Sequence, residues 1–413
     1  MIGEQSAALD TRHPQLVMRV GLLGNAVQEY FGGINYVLNL ARALATLPEA
    51  DRPRLTLFVD TAAPNAEAFD SIRSIVDEVV PLAGSAAIGG GRAQRLSAIA
   101  RRVGGLWAGE VRRAARRAGC DVLFPTPITL GARGRPAWIG WAYDLQHLHL
   151  PEFFSRLDLW RRDFYFSQLA RHAPKIVVSS QDARRDWLSR FPRTALRVSV
   201  LSFTSVPLDE WYTASAEEAV AKYNLPCKFL LLPNQFWVHK NHATAFEAIR
   251  LLRDRGLDAP LICTGGTHDP RRPEHFAELK RWIKENSLNG RIRILGLLPA
   301  ADQIQLVRAA AALVQPSLFE GWSTVVEEAR ALGKTLYLSD LPVHREQTPP
   351  GARFFSPHDP AALADLVAHE WDALVAGPQR ECEEAVRRDH SGRITQYART
   401  FLRVARATVK SGR

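Results

Sequence analysis

Short apolar runs alternate along this chain with longer stretches whose apolar residues recur every three or four positions. The first run, 16–23, is closed by Gly24-Asn25 and predicts an opening strand. After a loop carrying Gly32-Gly33, the segment 34–47 places Val37, Leu40, Ala41 and Leu44 at helical spacing and stops before Pro48. Runs at 55–59, 122–124, 138–143, 176–179 and 198–201 continue the pattern, with helix-like segments between them. Such alternation predicts a parallel sheet covered by helices on both faces. A second series starts at Phe229 and continues through 261–264, 292–295, 312–314 and a final strand at 335–338. The fold class is therefore α/β, with two Rossmann-like, doubly wound lobes over 1–205 and 206–390. Beyond them, Tyr397, Phe401, Leu402 and Val404 keep helical spacing, which predicts a C-terminal helix in 391–413 that crosses back onto the first lobe.

Length supports two lobes, because 413 residues exceed what one hydrophobic core ordinarily organises. The apolar fraction of 46% and charged fraction of 23% exclude a long disordered chain or a coiled coil. Four isolated cysteines without C-x-x-C spacing imply neither a disulfide framework nor a zinc knuckle. The polar N-terminus and the lack of a long apolar run lead to the expectation of a cytoplasmic protein. A net charge of +10 calls for an anionic partner: nucleic acid, a membrane surface or a phosphorylated substrate. Nucleic acid is disfavoured, because the aromatic-basic motifs of RNA modules are missing. In 92–117, eight arginines (Arg92, Arg95, Arg101, Arg102, Arg112, Arg113, Arg116, Arg117) surround an apolar stripe. That stripe suits the inner face of an anionic membrane, or equally the first sheet with its arginines in water.

Chemistry concentrates in 316–329, Pro-Ser-Leu-Phe-Glu-Gly-Trp-Ser-Thr-Val-Val-Glu-Glu-Ala, which follows a buried run and leads into a helix. A strand-to-helix turn at Gly321 lets backbone N–H groups and the positive helix end approach a diphosphate. Glu320 and Glu328 accept hydrogen bonds from hydroxyls, one facing a sugar and the other a ribose. The second element, 233–242, reads Pro-Asn-Gln-Phe-Trp-Val-His-Lys-Asn-His, and Lys240 is its candidate cation. His239 and His242 lack a carboxylate or cysteine at ligand spacing, and the chain contains no Asp-x-Asp, so a metal-independent site is expected, with no cofactor.

These elements resemble the retaining glycosyltransferases of family four, of the group 1 type and GT-B architecture, whose E-x7-E motif Glu320 and Glu328 match. The resemblance implies two lobes facing across a cleft and transfer of a hexose from a nucleotide diphosphate sugar to a polysaccharide, oligosaccharide or lipid-linked acceptor. Mannose on GDP is preferred to UDP sugars. By the same resemblance Glu320 holds donor-sugar hydroxyls, Glu328 holds the ribose, and the amides of Ser323, Thr324 and Val325 hold the phosphates. Gly321-Trp322-Ser323-Thr324-Val325 stands where the family commonly has Gly-Phe-Gly-Leu-Pro, and Gln235 stands where it has an arginine. Asn234, Gln235, Gly265 and Leu297 join the donor side, Leu297 near the base, while Gly32 and Gly33 face the diphosphate from the first lobe. The family carries His-Asp where this chain has Tyr143-Asp144, which leaves Asp144, with His147 as substitute, for the reacting sugar. His147 and His149 are alternatively plain hydrogen-bonding groups at the lobe interface. The loop 339–346 corresponds to a closing segment. Two other readings compete: a nucleotide-sugar epimerase of the same two-lobed shape, and a catalytically weak binding or scaffold subunit.

Overall fold

The computed structural model describes residues 17–28, 31–63, 65–83, 106–131 and 134–411. Seven strands form the first sheet: β1 (Arg19–Leu23), β2 (Arg54–Val59), β3 (Glu78–Pro81), β4 (Val122–Thr126), β5 (Ala137–Ala142), β6 (Lys175–Val178) and β7 (Val198–Val200), in the order β3-β2-β1-β4-β5-β6-β7. Six form the second: β8 (Leu230–Pro233), β9 (Leu261–Thr264), β10 (Ile292–Gly296), β11 (Ala312–Gln315), β12 (Leu336–Ser339) and β13 (Ala352–Phe355), in the order β10-β9-β8-β11-β12-β13. All neighbouring strands are parallel. Continuous apolar runs are what a sheet covered on both faces requires, and β4 and β5 are buried at every position.

Both edge strands that the sequence pattern passes over, β3 and β13, are mostly exposed or half-buried, with Phe355 the one buried residue of the two. Consequently β12 is not the last strand of the second sheet, as the pattern predicted; β13 follows it. In each sheet the chain reverses direction of growth beside its first strand, between β1 and β4 and between β8 and β11. Ligands of open α/β sheets bind outside the carboxyl ends of strands at such a switch point.

One helix, Arg380–Ser411, joins the lobes. Near its start the Glu383 carboxylate takes both arms of the buried Arg308 guanidinium at 2.9 and 3.0 Å. Further along, Ile394, Tyr397, Ala398, Phe401, Leu402, Val404 and Ala405 enter the first lobe's core, with Phe401 5.4 Å from the Phe124 ring. His390 Nε2 lies 2.6 Å from the Ser205 carbonyl, which fastens the connecting stretch between the sheets to this helix. Arg92, Arg95, Arg101 and Arg102 lie outside the described residues. The helix Leu106–Arg117 turns Trp107, Val111 and Ala115 into the first core, so this part of the apolar stripe is covered within the first lobe, while Leu106 stays exposed. Arg112 and Arg116 donate to the carbonyls of Leu130 and Arg135. No helix among the described residues is long and apolar enough to cross a membrane.

Candidate active site

The second lobe's switch point carries both sequence elements: Asn234–Lys240 leaves β8, and Pro316–Ser323 leaves β11. Asn241 sits at φ 56° and its Nδ2 donates to the Pro316 and Pro357 carbonyls at 3.0 and 2.8 Å, stapling the two loops together. The loop after β9 packs equally tightly. A Cβ at Gly265 (φ 126°) would lie 2.2 Å from the Asn234 carbonyl oxygen, so only glycine fits there. Gly265 thus lets two loops meet.

Where the loops converge, Lys240 Nζ donates to Glu320 Oε1 at 2.6 Å. The same oxygen accepts from Gln315 Nε2 at 2.8 Å and from Ser317 Oγ at 2.7 Å. Every hydrogen bond found for this carboxylate among the described residues goes to Oε1, which leaves Oε2 as an acceptor. Burial alone would push the Glu320 carboxyl up, but Lys240, with His344 and Ser317, outweighs it and holds the group below the usual carboxylate range. Asn234 Nδ2 donates to Gln315 Oε1 at 2.7 Å, so Asn234 stands behind Glu320 in a buried polar network. Gln315 is a polar residue at the end of an apolar strand, a local signal by which the sequence could have shown this network.

Ser323 caps the helix Thr324–Ala331 through its hydroxyl. Its own amide donates to Gln347 Oε1 at 3.2 Å, which occupies one of the three N–H groups expected to meet phosphate. Thr324 and Val325 lie in the first helical turn, where amides have no intrahelical acceptor, and they find none outside it among the described residues. One turn on, the carboxylate of half-buried Glu328 makes no hydrogen bond or ion pair with any described residue, and burial pushes its pKa up to about 7. Neighbouring Glu327 is fully buried and paired with Arg393 at 3.1 Å, a structural contrast to Glu328. Leu297 is 58% exposed just beyond the β10 end.

The first lobe closes directly on this turn. A Cβ on Gly321 would lie 2.8 Å from the Tyr143 carbonyl oxygen, so Tyr143 and Asp144 touch the motif through its glycine. Trp322 turns away from the donor side: its indole donates to the Phe203 carbonyl at 2.9 Å and its ring packs on the first lobe's core. His149 lies 5.2 Å from the Phe319 ring, another contact across the lobes. Asp144 is paired with Arg162. Buried His147 faces Arg162 at 3.3 Å and Asp163 at 3.4 Å; burial first, then Arg162, push its pKa down. These partners of His147 all belong to the first lobe. Gly32 and Gly33 occupy the first turn of the helix Phe31–Ala45, Gly32 exposed and Gly33 buried.

His242 is fully buried and stacked 4.1 Å from the Phe236 ring, with burial pushing its pKa down to about 3. His239 is buried as well, and burial, Lys240 and Arg271 push it well below the usual imidazole range. From the loop 339–346, Glu346 accepts the N–H of Gln181 at 2.8 Å and of Asp182 at 3.2 Å, capping a first-lobe helix from the second lobe. Sequence reasoning missed Gln315, and it missed Gln347, Arg162 and Arg271 because their bonds to Ser323, Asp144 and Gln146 span 24, 18 and 125 residues.

Residues 217–370 match the family model described as Glycosyl transferases group 1. The D-inositol 3-phosphate glycosyltransferase of Corynebacterium glutamicum (strain R) is 24% identical over 213 residues, 49% of this chain and 50% of that protein. The matched stretch thus spans about half the length of this curated relative. Among solved structures, a glycosyltransferase from Rickettsia africae ESF-5 aligns with a TM-score of 0.66 at 14% identity, over 95% of this chain and 99% of that one. Anabaena HepE in complex with UDP aligns with a TM-score of 0.64 at 14% identity, over 94% and 99%. These likenesses show a shared two-lobed fold.

Proposed function

From the premise that residues 217–370 belong to the group 1 glycosyl transferases, on a GT-B fold, we propose that this protein transfers a hexose from a nucleoside diphosphate donor to a glycan or lipid-linked hydroxyl with retention of anomeric configuration. One observation carries this reading: the 2.6 Å Lys240–Glu320 pair is joined through Gln315 to Ser323, the cap of the helix whose Thr324 and Val325 amides are free and whose next turn carries the unpartnered Glu328 side chain. An ammonium, a helix N-terminus and two hydroxyl acceptors form the donor set that a nucleotide sugar requires.

In this arrangement the second lobe holds the donor and the first lobe the acceptor. The pyrophosphate rests between Lys240 and the Thr324 and Val325 amides. Glu328 accepts ribose hydroxyls, and Glu320 Oε2 accepts a sugar hydroxyl while Oε1 stays with Lys240. As the bond from the anomeric carbon to the phosphate oxygen breaks, its electron pair leaves with that oxygen, and Lys240 and the helix end stabilise the growing charge. The acceptor oxygen bonds to the anomeric carbon on the same face, and its proton passes to the departing phosphate oxygen. The protein's own cation serves the leaving group, so no metal takes part in this scheme.

Calorimetric titration of UDP, GDP and ADP and of UDP-glucose and GDP-mannose tests the donor. Binding of one base series is expected; binding of none sinks the proposal. Proton NMR of the product tests stereochemistry, and an inverted anomer contradicts the front-face course.

Glu328→Gln should weaken nucleoside diphosphate affinity about tenfold, the loss expected when a charged hydrogen-bond acceptor becomes neutral, with kcat nearly unchanged. Because burial raises this carboxyl to about 7, its acceptor form is lost as pH falls through that value. Wild-type affinity for the matching nucleoside, which has no phosphate to titrate, should therefore fall between pH 8 and 6 (roughly one unit either side of that pKa), and the Gln variant should not follow it. Parallel pH curves for the two proteins would remove Glu328 from the ribose.

A further inference from the structure

We infer that Arg271, with the Gln146 amide beside it, forms a second anion subsite assembled from both lobes and facing the donor diphosphate. This rests on the donor placement proposed above. Lys240 is already matched by Glu320 at 2.6 Å, so its charge is partnered before any diphosphate arrives. A multiply charged leaving group needs further positive charge or oriented donors.

Arg271 meets that need by position. Asp269, 2% exposed, accepts the Val238 N–H at 3.1 Å and the Arg271 N–H at 2.9 Å, which binds the loop after β9 to the turn that carries Lys240. The Arg271 guanidinium then lies between aromatic faces, 4.9 Å from the Phe154 ring in the first lobe and 5.9 Å from the Trp237 ring in the second. Stacking of this kind fixes the plane of the cation without neutralising it. Its contact with Asp269 runs through Nε at 3.6 Å, a looser pairing than that of Lys240. Nη2 is 3.3 Å from His239 Nδ1, on the residue next to Lys240.

The decisive observation lies across the lobe boundary. Arg271 Nη1 donates to Gln146 Oε1 at 3.0 Å, which fixes the orientation of that amide. Gln146 is 4% exposed, and its Nε2 is buried with no acceptor. A buried amide donor without a partner costs stability unless something accepts from it. A diphosphate oxygen would accept from Nε2 and draw on the Arg271 charge together. Because one donor comes from each lobe, occupation of this subsite also favours the closed arrangement in which they meet.

The test compares two ligands on one variant. Each nucleoside diphosphate that the wild-type protein binds in the UDP, GDP and ADP panel is titrated into Arg271→Gln, beside the matching nucleoside. The subsite requires a diphosphate affinity loss of about tenfold or more with nucleoside affinity unchanged. Equal loss for both ligands would show an arginine that only props the loop, and no loss for either would show a bystander; each outcome overturns the inference while leaving the transferase reading intact. Failure of the wild-type protein to bind any nucleotide overturns both. If Arg271→Gln fails to fold by circular dichroism, Arg271→Lys is read with the same ligand pair, and a diphosphate-selective loss of a few fold is required. Gln146→Met, which removes the Nε2 donor, should show the same selectivity.

Discussion

Lys240→Ala is expected to lower turnover by about a hundred- to a thousandfold, the loss typical of removing one preorganised group that stabilises developing negative charge. The ammonium sits 2.6 Å from Glu320 at the convergence of two loops, so on the proposed mechanism its removal deletes charge from the place assigned to the diphosphate. It also leaves a carboxylate that is 8% exposed without its cation, a second route to lost activity. A double-mutant cycle with Glu320→Gln separates the two, the single Glu320→Gln variant giving the loss of its own sugar-hydroxyl acceptor: a double variant faster than Lys240→Ala would assign the damage to the stranded carboxylate, whereas two losses that simply combine assign it to the missing cation. Single-turnover rates measure the chemical step, and an unchanged rate in Lys240→Ala removes this residue from the mechanism.

The largest effect on stability is expected from Glu383→Ala. Arg308 and Glu383 have side chains only 3% and 5% exposed and are joined by two hydrogen bonds at 2.9 and 3.0 Å. Removing the carboxylate leaves a buried guanidinium with only the Ala214 carbonyl and Gln305 as partners, at a cost of roughly 3–5 kcal/mol. Urea unfolding should show this as a lower midpoint with little change in slope. Replacing both residues with methionine should recover most of the loss, because no charge is then stranded. A Glu383→Ala midpoint equal to wild type would show that water solvates the pair.

Most strands were legible because burial on both faces writes itself as unbroken apolar runs: 261–264 and 312–314 in the pattern became Leu261–Thr264 and Ala312–Gln315. Edge strands β3 and β13 were not, since Glu78–Pro81 and Ala352–Phe355 are half solvated and their pairing depends on a single neighbour. The site divides similarly. Lys240, Glu320 and Glu328 stood out by residue type and by position between strand and helix. Arg271 did not, because nothing local distinguishes an arginine in a polar loop from one stacked between Phe154 and Trp237. Trp322 occupied the motif yet turned to the other lobe, where the Phe203 carbonyl and an apolar core suit an indole better than a wet diphosphate turn.

Residue order alone establishes two parallel α/β lobes and places an ammonium and one carboxylate in the connections that leave two buried strands, with a second carboxylate in the helix that follows. Periodicity and turn chemistry depend on near neighbours in the chain, and those are written out in order. Which atoms remain available follows from packing in three dimensions: Glu320 Oε2 rather than Oε1, the Thr324 and Val325 amides rather than that of Ser323, and the unpaired Glu328 rather than the paired Glu327. A polar atom is free or occupied according to what packs beside it, and at this site the neighbours arrive from separate strands and from the opposite lobe.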